Sequence, residues 1–218
     1  MELKGKKIAF LGDSITEGYG ASCEDNTYWN LIARKTGAEC FGYGIGGTTI
    51  ARRQKPLSLE KTNRYFGSRV DELIPDADIV VIFGGTNDFG GSDPAFGQMS
   101  DRTDDTFYGA YHLLLQALIR KYPTGKILVA TPLHRLTEDD PSYNEQDGRR
   151  GGRLSDYVDA ICQVAAFYGI AVADLYRTCP IQPRMEDHRI RYMPDGVHPN
   201  DAGHVILADS ILRALMKL

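Results

Sequence analysis

The chain has 218 residues, with 25 Lys and Arg against 29 Asp and Glu, and a formal net charge of −4. A hydrophobic fraction of 42% beside a charged fraction of 25% excludes a disordered chain. The mild acidity gives no basic footprint for nucleic acid or an anionic membrane surface, and no apolar run reaches the ~18 residues of a membrane span.

Residues 1–218 read as one domain, long enough to bury a core without staples. The opening Met1-Glu2-Leu3-Lys4-Gly5-Lys6-Lys7 leads straight into a strand-like run and lacks the h-region of a signal peptide. Cys23, Cys40, Cys162 and Cys179 are scattered, fit neither a zinc nor a disulfide pattern, and read as reduced thiols. Together these features predict a cytoplasmic protein.

Ile8-Ala9-Phe10-Leu11 is a first short strand, ending in Gly12-Asp13. A helix is expected over 27–35, with Asn26 as its N-cap. A weaker strand covers about 38–42, and Ile79-Val80-Val81-Ile82-Phe83 is a clear third. Residues 105–121 place Phe107, Tyr111, Leu114, Leu115 and Leu118 on one helical face. Ile127-Leu128-Val129-Ala130 is the fourth strand and Ile170-Ala171-Val172-Ala173 the fifth, separated by a helix over 154–168. A last helix, about 201–216, has Asp201 as a candidate cap. Uniformly apolar strands alternating with helices predict an α/β fold: a five-stranded parallel, flavodoxin-like sheet in three α/β/α layers. Long connections remain at 43–65, 134–152 and 176–200.

Ligands of open parallel sheets sit beyond the carboxyl ends of the strands. Four connections bring polar groups there: Gly12-Asp13-Ser14, the loop Gly42–Thr49, Gly84-Gly85-Thr86-Asn87-Asp88, and Asp195-Gly196-Val197-His198-Pro199. This set contains the parts of acyl transfer. Ser14 is the candidate nucleophile, His198 its base and later acid, and Asp195 the group that fixes the imidazole. The backbone N–H groups of Ser14 and Gly47 and the side-chain amide of Asn87 are candidate oxyanion donors. Gly46 is near enough to compete with Gly47. Asp13 is expected to order the serine turn, and Asp88 to support Asn87.

The blocks Gly12-Asp13-Ser14-Ile15-Thr16-Glu17-Gly18, Gly44-Ile45-Gly46-Gly47-Thr48, Gly85-Thr86-Asn87-Asp88 and Asp195-Gly196-Val197-His198-Pro199 resemble, in order and spacing, those of the SGNH hydrolases, or GDSL esterase/lipase family. The resemblance covers nearly the whole chain. It implies Ser14 as nucleophile, Gly47 and Asn87 as oxyanion donors, Asp195 and His198 completing the triad, and no cofactor. The second block is richer in glycine than the family pattern, with Gly42 and Gly46 where an asparagine and a small polar residue are frequent.

Each block alone reads as ordinary turn or cap chemistry; their joint occurrence at strand ends carries the catalytic reading. Gly42-Tyr43-Gly44-Ile45-Gly46-Gly47 also matches a dinucleotide fingerprint, but follows the second strand rather than the first. There is no Gly-x-Ser-x-Gly elbow and no phosphate-binding Gly-Lys-Ser/Thr loop. His112, His134, His188, His198 and His204 fit no zinc motif, so no metal is expected. His112 reads as structural, His134 as a surface residue at the site edge, and His204 as unable to share the face of His198. Tyr28 and Trp29 read as core. Phe89, Phe96, Tyr143 and Tyr192 are candidates for an acyl or sugar pocket, and Glu138-Asp139-Asp140 and Arg149-Arg150 read as solvated surface.

The expected function is a serine esterase acting on a small carboxylic ester, with a short acyl group, such as acetyl on carbohydrate, through a covalent acyl-enzyme. A lysophospholipase or thioesterase is the same-class alternative, and a non-catalytic carbohydrate-binding module the alternative of another class. The expected partner is a small-molecule ester; no coiled-coil pattern points to an oligomer.

Overall fold

The computed structural model describes residues 2–91, 93–139 and 152–218. Five strands, β1 (Lys7–Gly12), β2 (Glu39–Gly44), β3 (Ile79–Phe83), β4 (Lys126–Ala130) and β5 (Ala171–Ala173), form one parallel sheet in the order β2-β1-β3-β4-β5. The helices are α1 (Ser14–Glu17), α2 (Tyr28–Thr36), α3 (Thr86–Phe89), α4 (Phe107–Lys121), α5 (Leu154–Phe167), α6 (Leu175–Thr178), α7 (Glu186–Tyr192) and α8 (Asp201–Leu215).

The period of two along the strands sorts side chains onto two faces. Ala9, Leu11, Val80, Ile82 and Val129 pack with α4, α5 and the 3-10 segment Phe66–Glu72. Ile8, Phe10, Ile79, Val81, Phe83 and Leu128 pack with α2 and α8. Both faces are covered, which is why β1 and β3 read as continuous apolar runs. The chain goes from β1 to β2 on one side and returns to β3 on the other. The sheet therefore changes winding direction between β1 and β3, where a ligand crevice is expected.

The five strands and the three long helices α4, α5 and α8 lie where the sequence places them, with ends shifted by one or two residues. Strand β2 and helix α2 are displaced slightly. Asn26 closes a 3-10 turn rather than capping α2, whose N-cap is Thr27. Asn200, not Asp201, caps α8 by accepting from Gly203 N–H. Asp201 instead accepts from Ser22 N–H at 2.8 Å and Ser22 Oγ at 2.7 Å, with Asn26 Nδ2 at 3.1 Å. The 176–200 connection holds α6 and α7, short helices that carry too few periodic residues to stand out in sequence.

Phe89 is buried in the core rather than lining a pocket, and Phe96 packs partly buried against the same core. They belong to an aromatic cluster in which Phe96 meets Tyr157 at 4.8 Å and Phe89 meets Tyr157 at 6.0 Å between ring centres. Tyr192 packs against the α2/α8 core. Tyr143, Asp140 and Arg149-Arg150 lie outside the described residues. Glu138 is buried rather than solvated, because His134 Nδ1 at 2.9 Å and Arg135 N–H at 2.9 Å both bond its carboxylate. His112 is buried between Tyr168 and Met99. No helix among the described residues is long and apolar enough to cross a membrane.

His204 has a role that its sequence position does not suggest. Its buried Nδ1 accepts the N–H of Tyr28, an otherwise orphan donor in the first turn of α2, at 3.1 Å. The imidazole lies parallel to the Tyr28 ring at 6.1 Å. Burial, opposed by Asp201, lowers its pKa to about 4 from the ordinary 6.5. The neutral ring is the bonding form, so its contribution is present above pH 6.5 and lost as pH falls through about 4. His204→Leu leaves the Tyr28 N–H unpaired, an expected loss of about 1 to 3 kcal/mol at neutral pH. Urea titrations of wild type and variant should converge towards pH 4; a gap independent of pH would contradict this role.

Candidate active site

Strand β1 delivers Ser14 to the crevice. Asp13 caps α1 by accepting from Ile15 N–H at 3.1 Å, and places Ser14 as the first helical residue. The Ser14 N–H is therefore one of the donors that a helix start leaves unbonded. This turn sits directly on β2: a Cβ at Gly44 would lie 1.9 Å from Glu17 N, so only glycine lets α1 rest there.

The Asp195 turn delivers the imidazole. Asp195 Oδ1 accepts from Val197 N–H at 2.9 Å and His198 N–H at 2.7 Å, while Oδ2 lies 2.7 Å from His198 Nδ1. Partial burial raises the Asp195 pKa, but the bonds from the His198 backbone and ring and from Val197 outweigh it and hold the carboxyl below its ordinary value. His198 Nε2 lies 2.9 Å from Ser14 Oγ. Leu136 N–H donates to Gly196 O at 2.8 Å and braces this turn from the β4 side. The Tyr19 ring, 62% exposed, leans on His198 with centres 4.4 Å apart.

The loop after β2 separates its two glycines. Gly46 N–H donates to Glu17 Oε2 at 2.8 Å, and Glu17 is also paired with Lys61. Gly47, in a left-handed conformation at φ 74°, has no acceptor for its N–H among the described residues. The Arg53 guanidinium donates to Gly47 O at 3.3 Å. Asn87, on α3, donates one Nδ2 hydrogen to Thr48 O at 2.9 Å, which leaves the second. Asp88 acts on this loop: its buried carboxylate accepts from Ile50 N–H at 2.9 Å and Ala51 N–H at 3.0 Å. Burial drives the Asp88 carboxyl up to about 7 against those bonds, and likewise drives Asp13 up to about 6 against its bond from Ile15 and the nearby His198 and Arg69. The structure thus joins Ser14, His198 and Asp195 by hydrogen bonds, and bonds Asn87 to Thr48, the residue after Gly47. Among the described residues no group of His, Cys, Asp and Glu side chains is placed to hold a metal ion.

The sequence profile of the GDSL-like lipase/acylhydrolase family matches residues 10–206. The chain belongs to this family. Its members are hydrolases of ester bonds, and so is this protein. It is 28% identical over 94% of its length to a GDSL lipase of Mycobacterium tuberculosis, of which it covers 79%. It is 26% identical to an acetylxylan esterase of Xylanibacter ruminicola over 96% of its own length but only 43% of that protein. A crystal structure of a protein from Lactobacillus plantarum superposes with a TM-score of 0.83 at 31% identity, covering 98% of both chains.

Several residues at the GDSL site carry no sequence signal of their own. Arg69 is buried, and Arg135 bonds Thr86 O at 3.0 Å at the start of α3. Glu17 lies inside the first block, but its grip on Gly46 N–H needs the folded loop. Asp88→Asn replaces the titrating carboxyl by a neutral group and so removes the pH dependence that burial gives this position. The wild-type contribution is full below pH 3.8 and declines as the buried carboxyl ionises through about 7. The stability of the wild type relative to Asp88→Asn, read by urea unfolding, should therefore be highest near pH 4 and fall towards pH 8; a relative stability that rises with pH would contradict it.

Proposed function

We propose that the protein is a serine esterase working through a covalent acyl-enzyme. The observation that carries this reading is the unbroken hydrogen-bond relay from Asp195 through His198 to Ser14 Oγ, with links of 2.7 and 2.9 Å. Asp195 fixes the ring so that Nδ1 carries its proton and Nε2 faces the hydroxyl. His198 Nε2 takes the Ser14 proton as Oγ bonds to the ester carbonyl carbon. The carbonyl electron pair moves onto oxygen, where Ser14 N–H, Gly47 N–H and the second hydrogen of Asn87 Nδ2 receive it. His198 passes the proton to the departing alkoxide. Water, deprotonated by the same nitrogen, then attacks the acyl-enzyme, and Ser14 leaves reprotonated. Glu17 supports the choice of Gly47 over Gly46, since it already holds the Gly46 N–H.

The substrate proposed is a small ester with a short acyl group, such as acetyl on carbohydrate. The exposed Tyr19 ring beside His198 supplies a flat platform of the kind on which a sugar ring stacks. The acetylxylan esterase relative points the same way.

Ser14→Ala should lower hydrolysis of a short aryl acetate by roughly four orders of magnitude or more while leaving the unfolding midpoint in place. A fluorophosphonate should label the wild type at Ser14 and leave the variant unmarked. Turnover retained by a folded Ser14→Ala protein would exclude Ser14 as nucleophile, and a folded, unlabelled wild type would favour a binding module. In a panel of acyl chain lengths beside acetylated sugars, kcat/KM should peak at acetyl. A peak at long acyl chains or at thioesters would replace the substrate with that of a lysophospholipase or thioesterase.

A further inference from the structure

We infer that Arg69 is a positioning residue for the oxyanion-binding groups, its buried guanidinium joining the Ser14 turn to the Gly47 loop through Gly12 O, Tyr43 O and Thr48 Oγ1. The inference rests on the serine-esterase reading of this site. Nη2 donates to Gly12 O at 2.9 Å and Thr48 Oγ1 at 3.3 Å, and Nη1 to Tyr43 O at 3.1 Å. The three acceptors belong to the end of β1, the end of β2 and the loop beyond Gly47. Gly12 O also accepts from Ile45 N–H at 3.2 Å, and Thr48 Oγ1 donates onward to Ile45 O at 2.7 Å. Thr48 O in turn takes the Asn87 amide. Ser14 N–H, Gly47 N–H and Asn87 Nδ2 thus stand on peptide segments linked by a single network with Arg69 at its centre.

The chemistry of the side chain explains why arginine is needed. A planar fork donates in fixed directions and so sets angles between the groups it bonds, whereas an ammonium is a point charge on a flexible stem. The Phe66 ring, 4.7 Å beneath the guanidinium carbon, fixes the plane of the fork. Taking this cation out of water is costly, and an apolar residue of similar volume could fill the same core position at less expense. Asp13, itself buried and adjacent to Ser14, faces the guanidinium as counter-charge. A costly ion is thereby placed where the relative positions of Ser14 and Gly47 are decided.

Arg69→Lys keeps the charge and removes the fork; Thr48→Val removes one acceptor and leaves the shape. For each variant of the full chain, kcat and KM on a short aryl acetate are measured beside inhibition by an alkyl boronic acid. The tetrahedral boronate adduct of Ser14 places an oxygen where the oxyanion forms. For Arg69→Lys, kcat should fall roughly 10- to 100-fold and boronate affinity should weaken by a similar factor. KM should stay within about twofold. Thr48→Val should show the same split at smaller size. The double variant should lose less than the product of the single losses, because both changes act on one contact.

Folded variants with wild-type kcat and boronate affinity would overturn the inference, whatever their melting temperatures, since a purely structural Arg69 predicts that outcome. If Arg69→Lys does not fold, Thr48→Val decides alone. Fluorophosphonate labelling of wild-type Ser14 separates the two levels. A labelled wild type with indifferent variants refutes the role of Arg69, whereas an unlabelled, inactive wild type refutes the esterase reading and this role with it.

Discussion

The contact between Ser14 Oγ and His198 Nε2 joins groups 184 positions apart in the chain, and much of the architecture can be read as what keeps them together. Ser14 is set by β1, the central element of the winding reversal. His198 is set by the turn entering α8, a helix that packs across α2 on the opposite side of the sheet from α4 and α5. Two tethers fix α8 there. Asp201 holds Ser22 and Asn26, and His204 holds the first peptide of α2. Both act within two turns of helix from His198, so small errors at the tethers have little length over which to grow.

Polar groups near this contact are buried to a degree that ordinary surface loops do not require. Asp13, Asp88 and Arg69 are almost wholly inaccessible. The hydrogen bonds of each run mainly to backbone groups, with Arg69 the counter-charge of Asp13. Asp88 holds two N–H groups, Arg69 three oxygen acceptors, and Asp13 the start of α1. Such groups are poor sources of stability because desolvation offsets the bonds. They are good at specifying loop conformation, because each donor or acceptor left unsatisfied in the interior is expensive. The glycine-rich loop after β2 has little conformational preference of its own; Glu17, Arg53, Arg69 and Asp88 supply it.

The layered sheet was legible because it is written in local patterns: doubly covered strands as apolar runs, α4 and α8 as helical stripes. The candidate site was legible because its polar residues fall immediately after strands, where an open parallel sheet gathers them. What escaped depends on contacts distant in sequence. An arginine at position 69 looks like any exposed charge until the carbonyls of Gly12 and Tyr43 are brought to it. Phe89 and Phe96 looked like pocket walls because a loop aromatic carries no mark of the face it turns to; Tyr157 on α5 draws them inward. The choice between Gly46 and Gly47 needed the carboxylate of Glu17, and the caps at Thr27 and Asn200 fell one residue away from equally good capping side chains.

The docking of α8 also fixes an order of events during synthesis. Ser14 is made before β2, β3, β4 and β5, whereas the imidazole and its supporting helix follow all five strands. The hydroxyl therefore waits for its base until the fifth strand has been made. The two halves of the pair can meet only once every strand of the sheet is present in the chain.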